Sequence, residues 1–350
     1  MKFEVFENPK KIYARMLEDI EHAKKSVLLE TYIYTDDSIG RKFRESLEKK
    51  AKNGIKVYLL VDSHGGRDVR NNFFSKLKKQ RGNVRFFNDI HIIKRILKRD
   101  YEVNHRKMLI VDNKICYFGS HNITAESLNW RELTLRFEDP LVNHFIYSFK
   151  RSWEYSQKLN KKKVELMIHR GYQIIHDIPS NEKRLTQTKY SDLIRKSKKE
   201  VLIETPYFVP PLRIRSAMID AVKRGVKVKI LMPKVSDLKF FDIFRNKYLG
   251  NLYKNGIEIY YYFPKKSHAK LLLVDDKFFL LGSSNLDYRS FLLDHEINLF
   301  GKDKKLYNAL EQFFNTGLKH SKPFNYEEWN NRSLVKRIIE LIMMKIEKKL

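Results

Sequence analysis

Cysteine and long apolar runs are scarce in this sequence. The single cysteine, Cys116, excludes an intrachain disulfide and agrees with a reducing compartment. No apolar run approaches the roughly 20 residues that a membrane-spanning helix needs. Residues 1–16 also lack the apolar stretch of a secretory signal. We therefore expect a cytoplasmic protein.

Acidic residues are also few, because 42 Asp and Glu stand against 70 Lys and Arg, a formal net charge of +28. Such an excess favours a polyanionic partner. An anionic membrane and a nucleic acid both qualify, since either attracts Lys and Arg through its phosphates. The composition alone leaves this choice open. No Cys, His or carboxylate residues have the spacing of a zinc, calcium or magnesium site, so we expect no metal and no cofactor.

A spaced set of polar residues occurs twice, 163 positions apart. The first copy consists of His105, Lys107, Asp112 and then Gly119-Ser120-x-Asn122. The second consists of His268, Lys270, Asp275 and then Gly282-Ser283-x-Asn285, with the same gaps. Two copies with matched spacing indicate a duplicated half-site.

These residue types fit the chemistry of a phosphodiester. Lysine and asparagine donate to phosphoryl oxygens, so Lys107, Lys270, Asn122 and Asn285 are candidate phosphate ligands, helped by Ser120 and Ser283. A neutral histidine can attack phosphorus, and a protonated one can donate to a departing alkoxide. One copy supplies one of these roles, and two facing copies supply both.

Each copy is predicted to form a hairpin. The apolar runs 108–111 and 271–274 are typical of buried strands, and a second short apolar run follows each of them. His and Lys, two positions apart, then lie on one face. Glu132 and Glu296 follow at nearly equal offsets. We assign Glu132 to His105 and Glu296 to His268, because a carboxylate on one ring nitrogen fixes the tautomer and favours the imidazolium.

Asp112 and Asp275 have two interpretations. Both belong to the repeated unit and are candidate catalytic residues. Both also follow an apolar run of even length, and the alternation of side chains along a strand does not require them to face the same pocket as the histidine. A turn residue or a structural ion pair would have this position. The sequence leaves both interpretations open.

The doubled H-x-K-x4-D followed by G-S-x-N resembles the phospholipase D superfamily. Segments such as LLETYIYTDDSIGRKFRESL, ETPYFVPP and GSSNLDYRSFLLDHEINL resemble bacterial cardiolipin synthases nearly end to end. That resemblance implies metal-free phosphatidyl transfer through a phosphohistidine, with His105 as nucleophile and His268 as acid. One departure is His295, where an aromatic residue is expected.

The order of helices and strands repeats along the chain. It predicts an α/β protein made of two α/β/α sandwich domains, each with a largely parallel sheet and right-handed crossovers, with the active site at their interface. Residues 1–160 form the first half, and residues 161–322 contain a polar, basic linker and the second half. Residues 323–350 form a basic amphipathic C-terminal helix, which either packs on the second domain or lies on a membrane.

The function that this predicts is synthesis of cardiolipin from two phosphatidylglycerols, with release of glycerol. We expect the enzyme to be peripheral on the inner face of the cell membrane. A phospholipase D-type hydrolase or nuclease that uses water as acceptor is the main alternative. A non-catalytic module that binds lipid or nucleic acid is a third, although neither copy of the motif is eroded.

Overall fold

The computed structural model describes residues 1–70, 72–88, 102–156, 164–179 and 184–344. The strands of the first half are β1 (Lys2–Phe6), β2 (Ser26–Thr31), β3 (Lys56–Asp62), β4 (Asn83–Phe87), β5 (Val103–Asn104), β6 (Met108–Val111), β7 (Ile115–Gly119), β8 (Trp130–Arg131) and β9 (Thr134–Glu138). Seven of them form one sheet in the order β1-β9-β7-β6-β2-β3-β4.

The second half repeats this arrangement. Its strands are β10 (Glu165–His169), β11 (Tyr172–Asp177), β12 (Glu200–Glu204), β13 (Lys227–Pro233), β14 (Glu258–Tyr262), β15 (Lys266–Ser267), β16 (Leu271–Val274), β17 (Phe278–Gly282), β18 (Asp294–Gly301) and β19 (Ser321–Pro323). The main path through its sheet is β10-β11-β18-β17-β16-β12-β13-β14-β19.

Helices connect and cover the strands. In the described parts of the first half they are α1 (Pro9–Glu21), α2 (Ser38–Lys52), α3 (Ser75–Lys79) and α4 (Val142–Tyr155), besides three short 3₁₀ turns. In the described parts of the second half they are α5 (Leu185–Lys196), α6 (Leu212–Lys223), α7 (Lys239–Lys254), α8 (Tyr288–Leu292), α9 (Lys304–Lys319), α10 (Tyr326–Asn330) and α11 (Leu334–Met344).

Both sheets are mixed, so the expectation of a largely parallel sheet is wrong. Along the main path of each sheet, among the described strands, only the neighbours β2-β3-β4 and β12-β13-β14 run parallel. Each motif folds as the expected hairpin, β6-β7 or β16-β17. In the first, both turn residues, Asp112 and Asn113, have positive φ, which matches the twist of an antiparallel pair. A hairpin in every half makes that part of the sheet antiparallel.

The two sheets share one apolar core. Leu28 and Leu60 of the first sheet belong to the same buried cluster as Leu202 and Leu231 of the second. Helices α4 and α9 add the aromatic residues of this layer, including Phe145, Phe149, Phe313 and Phe314. Two further cores lie on the outer faces of the sheets, under α1 and α2 in one half and under α6 and α7 in the other. The halves are therefore joined by buried apolar surface, which holds their motifs in fixed relation.

The predicted linker contains regular structure. Strands β10 and β11 form a hairpin that extends the second sheet by antiparallel pairing of β11 with β18. Residues 157–163 and 180–183 of that linker lie outside the described residues.

The C-terminal region differs from one continuous helix over residues 323–350. It comprises α10 and then α11, which begins only at Leu334, and residues 345–350 lie outside the described residues. Among the described residues, we find no helix whose length and apolar character would allow it to cross a membrane.

Candidate active site

Two short strand pairs bring the motifs together across the halves. Strand β5, just before His105, pairs in parallel with β18, and β15, just before His268, pairs in parallel with β8. As a result the His105 amide donates to the His295 carbonyl at 3.0 Å, and the His268 amide donates to the Arg131 carbonyl at 2.8 Å. Each histidine is thus held next to the residue that precedes the glutamate of the opposite half.

The glutamates are consequently exchanged between the halves, and the predicted assignment of Glu132 to His105 and of Glu296 to His268 is wrong. His105 Nδ1 lies 3.0 Å from Glu296 Oε1, whereas His268 Nδ1 lies 3.1 Å from both carboxylate oxygens of Glu132. With Nδ1 occupied by a carboxylate, each imidazole presents Nε2 to the space between the halves.

The two histidine–glutamate pairs differ electrostatically. Burial lowers the pKa of His105 well below its usual range, and the ammonium groups of Lys107 and Lys270 add to this shift. Burial and Lys270 also lower the pKa of His268, but there the Glu132 carboxylate opposes the shift. Burial alone would raise the pKa of Glu132, yet His268, Lys270 and Ser120 outweigh it and lower that pKa to about 2. For Glu296 burial prevails and raises the pKa.

The serines of the two G-S-x-N segments hold the glutamate strands. Ser120 Oγ donates to Glu132 and accepts from the Leu133 amide at 2.8 Å. Ser283 Oγ accepts from the Ile297 amide at 2.9 Å and donates to the carbonyl of the same residue at 3.2 Å. These hydroxyls therefore position the carboxylates, a role that the sequence did not indicate.

Both lysines lie beneath the histidines. Lys107 Nζ donates to the His105 carbonyl and Lys270 Nζ donates to the His268 carbonyl, each at 2.6 Å. Burial and mutual repulsion lower the pKa of Lys107 to about 7. Burial also lowers the pKa of Lys270 to about 8, against the attraction of Glu132 and Glu296. A bound anion would restore their charge, so the lysines are poised to respond to a phosphate.

Asp112 and Asp275 fit the structural interpretation, and direct participation in catalysis does not fit their geometry. Asp112 accepts the amides of residues 24, 25 and 26 at 2.6–3.1 Å. Asp275 accepts those of residues 198, 199 and 200 in the same manner. Each aspartate therefore closes a hairpin turn onto the start of the neighbouring strand. Acceptance of three amides engages the carboxylate fully in this turn.

A cavity of about 170 Å³ opens between the halves over the two histidines. It is lined by Tyr32, Ile33, Val103, His105, Asn122, Trp130, Tyr207, Asp237, Leu238, Phe241, His268, Asn285, Asp287, Arg289 and Asp294. The structure thus brings His105, His268, Asn122 and Asn285 together as expected. Sequence reasoning missed the aromatic and acidic walls, although Trp130 and Asp294 stand at the same offset before Glu132 and Glu296.

Buried polar groups support the crossing strands. Asn104 Nδ2 donates to Glu30 at 2.8 Å, and Ser267 Oγ donates to Glu204 at 2.6 Å. Glu30 and Glu204 occupy matching positions of the repeat, at the ends of strands β2 and β12. Arg131 also donates to Glu204 and to the Phe313 carbonyl, which ties the first half to α9 of the second. His295, which replaces the expected aromatic residue, packs edge-on against Phe87 with ring centroids 4.8 Å apart. Its Nε2 lies 3.2 Å from Glu102 Oε2.

This arrangement can support a two-step displacement at phosphorus. Both histidines line one cavity together with Asn122 and Asn285, and each histidine has its Nδ1 against a carboxylate. Lys107 and Lys270 are buried and donate to the carbonyls of these histidines, outside the residues that line the cavity. A nucleophile and an acid on opposite sides of a phosphoryl group are what an in-line displacement requires.

A family model agrees with this geometry. Residues 16–153 and 190–317 match the model described as "Cardiolipin synthase, PLD-like domain". The matched residues include both copies of the motif and both glutamates.

Curated relatives cover nearly the whole chain. A cardiolipin synthase of Clostridium perfringens (strain SM101 / Type A) is 32% identical over 351 residues, which is 95% of this chain and 73% of the relative. The major cardiolipin synthase of Bacillus subtilis is also 32% identical, over 94% of this chain and 71% of its own length.

Among solved structures, the phosphatidylserine synthase of Haemophilus influenzae superposes with a TM-score of 0.79 and 16% identity. The match covers 99% of this chain and 94% of that one. At this identity the likeness shows that the two proteins share a fold.

Proposed function

Because this chain belongs to the cardiolipin synthase family of phospholipase D-type phosphatidyltransferases, we propose that it joins two phosphatidylglycerols into cardiolipin and releases glycerol. The crossed arrangement of two histidine–glutamate pairs over one cavity carries this proposal. It supplies a nucleophile and an acid from the two halves, on the same phosphoryl group.

In the first step His105 Nε2 attacks the phosphorus of one phosphatidylglycerol. The bond from phosphorus to the glycerol oxygen breaks, and His268 donates its proton to that oxygen, so that glycerol departs. The product is a phosphatidyl group on His105. Lys107, Lys270, Asn122 and Asn285 hold the phosphoryl oxygens and oppose their negative charge.

In the second step a second phosphatidylglycerol enters. Its headgroup hydroxyl gives its proton to His268, now neutral, while the oxygen attacks phosphorus and the bond to His105 breaks. Two phosphodiesters enter and two remain, so the exchange needs no nucleotide to drive it.

The difference between the two glutamates supports these roles. Glu132, whose pKa is lowered to about 2, opposes the lowering of the His268 pKa by burial and Lys270, and so favours the protonated form that an acid needs. Burial raises the pKa of Glu296, so the His105 ring is less strongly driven toward the imidazolium, and a nucleophile must be neutral. A phosphodiester anion in the cavity further favours protonation of His268.

Membrane association is part of the proposal, and α11 supports it. Leu334, Val335, Ile338 and Ile339 are between 42% and 72% exposed, next to exposed Lys336 and Arg337. The polar Glu340 is instead buried and paired with Arg332 at 2.8 Å. A helix that only packed on the protein would bury its apolar residues, so we place this surface against anionic lipid. The attraction there is about 1 kcal/mol per basic residue near the surface.

The direct test is incubation of the purified protein with phosphatidylglycerol vesicles in EDTA, with lipid products and glycerol measured together. Cardiolipin and glycerol in equal amounts, lost in His105→Ala and in His268→Ala, are the expected result. Phosphatidic acid in place of cardiolipin would make water the acceptor. Activity that EDTA abolishes, or turnover by either histidine variant, would contradict the mechanism. Cleavage of single-stranded DNA without lipid turnover would favour a nuclease.

A further inference from the structure

The cavity is symmetric in its reacting groups but asymmetric in its walls. Trp130 and Asp294 each stand two residues before the glutamate of their half, so they occupy matching positions of the repeat. The Trp130 ring packs against the His268 ring, with centroids 5.1 Å apart. In the other half the same position carries a carboxylate, and Asp294 is only 5% exposed. One wall is therefore apolar where the other can accept hydrogen bonds.

Arg289 adds hydrogen-bond donors to the wall that contains Asp294. Its Nε lies 3.2 Å from Asp294 Oδ1, and both residues line the cavity. Strand pairing sets Asp294 opposite Val103, two residues before His105. The Asp294–Arg289 pair thus presents acceptor and donor atoms near the candidate nucleophile, close to where the groups attached to phosphorus must lie.

The two asparagines of the motif also differ. Asn122 Oδ1 accepts the Ile33 amide at 3.2 Å. Asn285 Oδ1 is buried and has no hydrogen-bond partner among the residues that the structure describes, although Asn285 lines the cavity and is 5% exposed. A buried acceptor without a donor is costly, so a ligand that brings an O–H to this position gains a hydrogen bond to Asn285 Oδ1.

We propose that Asp294, Arg289 and Asn285 form a subsite for the hydroxyl groups of a polyol headgroup, which selects glycerol-type alcohols over simple ones. This proposal rests on the proposed function and names the residues that determine which alcohol headgroup the enzyme accepts. A vicinal diol can donate to Asn285 and Asp294 and accept from Arg289. A headgroup ammonium would meet the Arg289 guanidinium. Burial also raises the pKa of Asp294, which weakens its attraction for a cation further.

The subsite can be tested by binding, without turnover. Glycerol 1-phosphate and propyl phosphate carry the same charge and differ in two hydroxyls, so the ratio of their dissociation constants by calorimetry isolates the polyol. We expect wild-type protein to bind glycerol 1-phosphate about ten-fold more tightly, the factor that one hydrogen bond to a charged group supplies. Asp294→Leu should bring the ratio close to one, and Asp294→Asn, which keeps one acceptor oxygen, should leave it intermediate.

Trp130→Phe controls for a change of the cavity wall outside the subsite: it can alter both dissociation constants, but it removes none of Asp294, Arg289 and Asn285, so their ratio should stay as in wild type. A wild-type ratio near one, or a ratio that Asp294→Leu leaves unchanged, would overturn the subsite. So would tighter binding of phosphoethanolamine than of glycerol 1-phosphate. Cardiolipin formation together with a ratio near one would refute the subsite alone. The expected ratios without any cardiolipin would refute the proposed function alone.

Discussion

Glu132 and His268 lie 136 positions apart, in different halves of the chain, yet the carboxylate oxygens are 3.1 Å from Nδ1 of the imidazole. The reciprocal contact joins Glu296 to His105 at 3.0 Å. Each reacting imidazole is thus oriented by the other half of the repeat. Neither half supplies both members of either of these two pairs.

The crossed pairing predicts how glutamate variants group with histidine variants. Glu132→Gln and His268→Ala should both lower turnover of phosphatidylglycerol by about 10²–10⁴-fold, the usual contribution of a general acid. Both should still release a burst of nitrophenolate from bis(4-nitrophenyl) phosphate, because this leaving group departs without a proton. His105→Ala should show no burst, and Glu296→Gln a slowed one. If Glu132→Gln behaves like His105→Ala in stopped-flow measurements, Glu132 does not act through His268.

The turn aspartates predict a loss of stability with little loss of chemistry. Asp112→Ala leaves three backbone amides without their acceptor, and at about 1 kcal/mol each the free energy of unfolding should fall by roughly 2–4 kcal/mol. Asp112→Asn should lose about half as much, since asparagine keeps one acceptor and tolerates positive φ. Urea denaturation measures the free energy of unfolding. The turnover number of folded Asp112→Asn should stay within about three-fold of wild type, and a far larger drop would assign Asp112 to the chemistry.

The lysines predict an alkaline limit on anion binding. A phosphodiester binds to the protonated ammonium, and the pKa values of Lys107 and Lys270 are about 7 and about 8. The affinity of His105→Ala for bis(4-nitrophenyl) phosphate, which this variant should not turn over, should therefore fall as pH rises through 7 to 8. Lys270→Arg in the same background, whose guanidinium stays charged, should leave only the decline near the Lys107 pKa. An affinity that is unchanged up to pH 9 would contradict this assignment.

The exposed face of α11 predicts a separation of binding from catalysis. The double substitution Ile338→Glu with Ile339→Glu should weaken sedimentation with phosphatidylglycerol vesicles about ten-fold or more, because it places two charges on an apolar face that meets anionic lipid. Turnover of a water-soluble phosphodiester should be unaffected. Leu166→Glu with Ile168→Glu on β10, which changes two exposed apolar residues outside α11, is the control matched in charge and should bind vesicles normally. Equal loss in both variants would reflect charge alone.

Much of the site could be predicted because its signal is local. The spacing of His105 and Lys107, the hairpin after them and the Ser and Asn at its end all follow from strand periodicity and a short turn. The family match and the shared fold confirm the phospholipase D resemblance that this spacing indicated, together with the α/β architecture. The candidate reacting groups could therefore be named from the sequence.

By itself, then, the sequence determined which chemical groups are present and that they occur twice. The tertiary structure decided which carboxylate pairs with which histidine. Strands β5 and β15 each pair with a strand of the opposite half, and such long-range pairing leaves no local pattern, so Glu132 and Glu296 were assigned to the wrong histidines. The same holds for Asp112, whose role depends on amides 86–88 positions away. It holds also for Asp294 and Trp130, whose difference matters only because packing sets them on the walls of one cavity.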